Sequence, residues 1–200
     1  MNKFRIEHKD GRIYLHTPYH PRFVTKIKKA GAKWDGSTWS MDEKNKEVAR
    51  QIMLDVYGCD DRFENPFLTH IKKCSVKITV KKDLYASRGP VTMLGRIIAS
   101  AKGRDSGAKI GDDVCFEKGG ATSWGSVKNW NTKINAGSVI ILHDVPTYAI
   151  ENKIDFGYND EDIDLEIIPS QSKADPRQEL LEEKERLLAR LAEIEQLLAD

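Results

Sequence analysis

Four tryptophans and a run of lysines are the side chains in this sequence best suited to recognition chemistry. Trp34 and Trp39 bracket Asp35-Gly36-Ser37-Thr38, and Lys26, Lys28, Lys29 and Lys33 lie just ahead of them. Lysine amines neutralise phosphates and release counterions, which makes affinity salt-sensitive. An exposed indole face adds roughly 1–3 kcal/mol for each unpaired base that stacks on it. In a unit this small, two tryptophans are also what a core is built from, so both roles stand open. A second concentration runs from Gly119 to Trp130, reading GGATSWGSVKNW. Its glycines and serines free the backbone to cradle a phosphate or base, while Trp124, Lys128 and Trp130 supply stacking and charge. The alternative is a long hairpin connection with one buried indole. Lys72 and Lys73 extend the basic set, and Lys81, Lys82, Arg88, Arg96, Lys102, Arg104 and Lys109 continue it.

Catalytic patterns are absent from the same residues. His16 and His20 have Pro18 between them and Pro21 after, so they cannot share a helical face as zinc ligands do. Asp105, Asp112 and Asp113 fall in ordinary turn sequences. Ser106 lacks the GxSxG elbow of a hydrolase. No GxxxxGK[ST] phosphate loop occurs, and Asp160 to Asp164 lacks the glycine and final glutamate of a calcium loop. The expectation is a non-enzymatic binding protein with no metal and no cofactor.

Charge is unevenly distributed. Residues 1–62 carry 13 basic against 9 acidic side chains (+4), residues 63–143 carry 13 against 6 (+7), and residues 144–200 carry 6 against 16 (−10). Such a split points to a polyanion-binding front with an acidic appendage. Cys59, Cys74 and Cys115 are odd in number and widely spaced, which fits reduced thiols rather than a disulfide framework. No apolar run reaches transmembrane length, and the first residues lack a signal-peptide stretch. A cytoplasmic protein without a membrane partner is expected.

The elements that must hold these side chains follow from periodicity and turn chemistry. Phe4–Glu7 and Arg12–Leu15 alternate around Asp10-Gly11, a hairpin signal. Pro21 opens a helix with Phe23, Val24 and Ile27 as its stripe, and Gly31 closes it. A second helix begins near Asp42, buries Val48, Ile52, Leu54 and Val56, and stops at Gly58. Beyond a linker, Cys74–Val80, Val91–Ala101, Asp113–Glu117, Ser138–His143 and Asp164–Ile168 read as strands, with a helix over Leu94–Ala101 as the alternative for that run. Asp175-Pro176 with Gln178 begins a capped helix. There Leu180, Leu187, Leu191, Ile194 and Leu198 form a heptad seam, interrupted by Lys184, that calls for a partner: self-association is favoured, with docking on the chain's own β domain as the alternative. The expected class is α+β: a ββαβα module over 1–60, a mainly-β domain over 67–168, and an amphipathic coiled-coil helix over 175–199.

Tyr19-His20-Pro21, Val24, Ile27, Lys28, Gly31-Ala32-Lys33-Trp34-Asp35 and Trp39 together resemble the HARP-type module of annealing-helicase-related proteins, over about residues 12–57. The resemblance implies a small DNA-engaging unit at single-strand/double-strand boundaries. The turn between Asp35 and Trp39 departs from the family, being shorter and without basic residues. On this reading the chain is an oligomeric, phage- or mobile-element-like accessory protein that binds nucleic acid, with DNA favoured over RNA. Two rivals remain: a phage-type inhibitor that binds a host defence protein complex, and a sponge for a nucleotide signal.

Overall fold

A computed structural model describes residues 3–65, 67–155, 157–158 and 161–168, with Lys184, residues 186–188 and Arg190 near the C-terminus. Asp10 and Gly11, at φ 51° and 69°, reverse the chain between β1 (Arg5–Lys9) and β2 (Arg12–His16). Helix α1 (Pro21–Lys29) starts on His20, whose ring accepts a hydrogen bond from the Arg22 amide. Two short strands follow, β3 (Lys33–Trp34) and β4 (Trp39–Asp42). A 3-10 turn, Glu43–Asn45, leads into α2 (Lys46–Tyr57). The strands form one antiparallel sheet in the order β1-β2-β4-β3.

Register sets the first core. Leu15 opposes Trp39 and Ile13 opposes Met41, so all four face the two helices and are buried. From α1 come Phe23 and Ile27. From α2 come Ala49, Ile52, Met53 and Val56, spaced to one helical stripe. Val48, expected in that stripe, is instead exposed, because the stripe is set one residue later by Ala49 and Met53.

The second half contains β5 (Lys73–Val80), β6 (Leu84–Ser87), β7 (Val91–Met93), β8 (Arg96–Ala101) and β9 (Ala108–Ile110). It continues with β10 (Val114–Lys118), β11 (Ala121–Gly125), β12 (Trp130–Ile134), β13 (Val139–Pro146), α3 (Thr147–Glu151) and β14 (Ile163–Ile168). Its three antiparallel sheets run β10-β13-β5-β14, β11-β12-β6 and β7-β8-β9. Val76, Ile78 and Val80 of β5 alternate inward and meet Leu142 and Ile140 of β13 across the ladder.

This architecture corrects the expected α+β class. Among the described residues, fourteen strands in four antiparallel sheets outweigh three α-helices, so the protein is mainly β. Nor is a long C-terminal helix seen among them. The described tail residues are helical and exposed, Leu187 at 62%; Leu180, Leu191, Ile194 and Leu198 lie outside the described residues. The run Val91–Ala101 is neither one strand nor a helix. It folds at Leu94-Gly95 into the hairpin β7–β8.

The two halves meet in direct backbone contact. Gly95, at φ 73°, lies on Tyr57 so closely that an added Cβ would stand 2.6 Å from the Tyr57 Cα. Gly58 lies against Ala149 in the same way. Beside them His20 and Asp155, both nearly inaccessible, join at 3.0 Å, and Arg22 holds the other Asp155 oxygen at 3.0 Å. Because the Arg22 amide donates to His20 Nδ1, Nε2 carries the proton given to Asp155. Burial raises the Asp155 pKa, yet hydrogen bonds from His20, Thr92 and Arg22 outweigh it and hold the carboxyl below its ordinary range.

Candidate functional site

Asp35 organises the turn that presents the two N-terminal tryptophans. Its carboxylate accepts from the amides of Ser37 and Thr38, each at 2.8 Å, and from the Ser37 hydroxyl. The Thr38 and Ser37 amides, in that order, hold the Asp35 carboxyl below its ordinary range. The turn therefore spends these donors internally and is flanked by Trp34 and Trp39.

Those flanks differ. Trp34 and Trp39 oppose each other across β3 and β4 with ring centroids 5.2 Å apart. Trp39 sits under the sheet at 8% exposure, whereas Trp34, on the edge strand, is 52% exposed. The two readings open in the sequence are thus divided between the two residues: Trp39 is core, and Trp34 offers a free face. The Lys28 ammonium lies 5.7 Å from the Trp39 ring. Lys28 and Lys29 are exposed and have no carboxylate partner among the described residues, while Lys26 is neutralised by Asp55 at 2.7 Å. Successive strand residues face opposite ways, so Lys33, paired with Ser40, lies on the outer face of the sheet, away from Trp34.

Trp34 also lies on the rim of a cleft of about 630 Å3 between the two halves. One wall is Phe4, Tyr19, Val24, Trp34 and Trp39, and the other includes Arg96, Ile97, Lys109 and Ile110. Tyr19 is 68% exposed. Burial lowers the Arg96 pKa, opposed by Asp113 and Asp144, and its guanidinium donates to the Asp144 carbonyl at 2.6 Å. Lys3, also on the wall, is paired with Asp113.

Four of the other basic candidates are neutralised locally. Lys73 pairs with Glu64 at 3.2 Å and lies over the Phe63 ring; Arg104 pairs with Asp105 at 2.8 Å. Lys81 meets Asp164 at 2.6 Å and Lys82 meets Glu161 at 3.1 Å, so the described acidic stretch is engaged by the basic one. Lys72, exposed, uses its backbone carbonyl to hold the Thr147 amide. The Gly119–Trp130 segment builds the hairpin β11–β12, in which Gly125 opposes Trp130 and Trp124 opposes Asn131. Trp124 and Trp130 consequently face opposite sides of the sheet, with Trp124 58% exposed and Lys128 on the hairpin tip.

Among the described residues no group of three or more His, Cys, Asp or Glu side chains gathers as metal ligands. No helix among them is long and apolar enough to cross a membrane. Cys59 is fully buried, and burial pushes its thiol pKa up. No family model, curated protein or solved structure matches the chain.

Sequence reasoning missed Tyr19, Lys109 and Ile110 as cleft residues, since the two walls are far apart in the chain. It also missed Tyr85, whose ring lies 5.9 Å from Trp124. Alternation within Leu84–Ser87 was the signal that could have placed Tyr85 outward.

Proposed function

We propose that this chain is a non-enzymatic nucleic-acid-binding protein, and that its first module holds an unpaired or junctional stretch of DNA at the cleft rim. The observation that carries this reading is the half-exposed Trp34 face, set on the Asp35 turn at the cleft rim, with the exposed Lys28 reaching the ring of the adjoining Trp39. Trp34 and Tyr19 would stack on bases, and Lys28 and Lys29 would contact phosphates. The HARP-type resemblance supports a DNA junction over other polyanions, and the motif residues His20 and Asp35 act in it as scaffolding. Fluorescence anisotropy with a forked and a single-stranded oligonucleotide at low salt tests the proposal. Binding is expected to weaken in Lys28→Glu and in Trp34→Ala. Affinity indifferent to salt and to both substitutions would overturn it.

The cleft favours a second reading. Its volume lies within the range of small-molecule sites, and it sets an aromatic-rich wall against one that carries Arg96 and Lys109. A mononucleotide with its base against Trp34 and its phosphate toward Lys109 fits that chemistry. A thermal-shift screen with nucleotides separates the two readings: stabilisation by a mononucleotide, with oligonucleotides inert, favours the second.

A further inference from the structure

We infer that the outer face of the β11-β12-β6 sheet is a second stacking platform for an unpaired nucleic-acid strand, centred on Tyr85 and Trp124. The inference extends the nucleic-acid reading to a surface outside the HARP-like segment, and it rests on that reading.

Register assigns the face. Trp124 opposes Asn131, Lys133 opposes Tyr85, and Asn131 also opposes Ser87. These five side chains therefore share one side, while Thr132, Ile134 and Leu84 turn inward and are buried. Tyr85 and Trp124 are 45% and 58% exposed, with centroids 5.9 Å apart and planes tilted by 56°. Leaving two large rings in water forgoes the burial that usually places them in a core, and neither is needed to close this one.

The surroundings identify the occupant. A protein-binding hot spot seats its aromatics in an apolar, desolvated pocket. Here the neighbours are Asn131, Ser87 and Lys133, which suit base edges and phosphates. The Lys133 ammonium lies 5.7 Å from the Tyr85 ring and is held at 2.7 Å by Asp83. Asp83 is the one carboxylate in the sheet's segments, residues 83–88 and 121–134, against the cations Arg88, Lys128 and Lys133. Arg88 and Lys128 are exposed and have no carboxylate partner among the described residues. Arg88 borders the hairpin end of the sheet, where its amide bonds to the Trp130 carbonyl. Lys128 sits on the tip itself. Two π-faces with cations at one end match the requirements of strand binding that tolerates any base.

The test uses the full chain, DNA and RNA homopolymers of matched length, and anisotropy at low salt. Variants are Tyr85→Ala/Trp124→Ala, Trp124→Phe, Lys128→Glu and Trp34→Ala. The double variant is expected to lose at least tenfold in affinity with its melting temperature lowered by no more than a few degrees, the loss of one aromatic pair. Trp124→Phe should recover most of that loss, and Lys128→Glu should weaken binding severalfold. Tighter binding of one homopolymer identifies the platform's strand as DNA or RNA. Wild-type protein that binds no oligonucleotide overturns the proposed function and the platform together. Binding that is lost in Trp34→Ala but unchanged in the double variant overturns the platform alone. A Trp124→Phe variant as weak as the double one also overturns stacking.

Discussion

Replacing each N-terminal tryptophan in turn separates recognition from folding. Trp34 is half exposed, and its main ring contact is the tilted pair with Trp39. Losing such a pair costs about 0.5–1.5 kcal/mol. For a chain of this length that lowers the melting temperature by roughly 1–6 °C. If Trp34 stacks on a base, removing it costs about 1–3 kcal/mol of binding, or roughly 5- to 150-fold in Kd. Trp39 inverts the balance. At 8% exposure, and packed opposite Leu15, it belongs to the core. Its truncation should cost about 3–5 kcal/mol of stability, a large part of a typical domain's total. Thermal melts by circular dichroism, paired with anisotropy on one single-stranded oligonucleotide, measure both quantities. Trp34→Ala should fold and bind poorly, and Trp39→Ala should melt early. A Trp34→Ala protein with undiminished affinity refutes the assignment of the stacking face, and a Trp39→Ala protein of native stability refutes the assignment of Trp39 to the core.

Two further predictions concern the junction of the halves. Gly95→Ala and Gly11→Ala impose similar backbone strain, at φ 73° and 69°, but only Gly95 has atoms in the way of a Cβ. Gly95→Ala should lower stability by about 1–3 kcal/mol more than Gly11→Ala, from overpacking against Tyr57; equal melting temperatures would contradict the contact. Asp155→Asn should destabilise by about 1–3 kcal/mol at pH 7, because it removes the charge that anchors His20 and Arg22. The folded-state pKa of Asp155 is depressed, so its contribution is complete above the ordinary carboxylate range and is lost as pH falls from that range through the lower folded-state value. The gap between wild type and variant should therefore hold from pH 7 to about 5 and narrow progressively below about pH 4; a gap that closes near neutrality would contradict the sign.

Local signals were legible because their causes are local. Asp10-Gly11 supplies two positive-φ positions, Pro21 follows a capping residue, and Gly58 ends α2, so the N-terminal elements could be read directly. The run Val91–Ala101 misled because its turn is itself apolar and buried: Leu94 is 1% exposed although it sits at φ 51°. No periodicity rule anticipates a turn pressed into a core. Lys33 and Trp34 were grouped as one surface by sequence proximity, and a strand separates such neighbours onto opposite faces. The His20–Asp155 bond joins residues 135 apart and leaves no local trace.

Charge shows the same difference between sequence and space, with a measurable consequence. Residues 1–143 carry +11 and the remainder −10, but β14 lies beside β5 and brings Glu161 and Asp164 onto Lys82 and Lys81. Pairs such as Lys26–Asp55, Lys73–Glu64 and Arg104–Asp105 remove more. Of the cations proposed to meet phosphate, Lys28, Lys29, Arg88 and Lys128 are exposed and keep no carboxylate partner among the described residues. Single-strand binding loses about 0.7 in log–log slope per neutralised phosphate. Four contacts therefore give a slope near −3, or about 50-fold weaker binding between 50 and 200 mM salt. A continuous face using all eleven net charges would give about −8, a loss of roughly 40,000-fold over the same range. A measured slope near −8 would mean that the ion pairs open on binding and that phosphates, rather than the aromatic faces, dominate affinity.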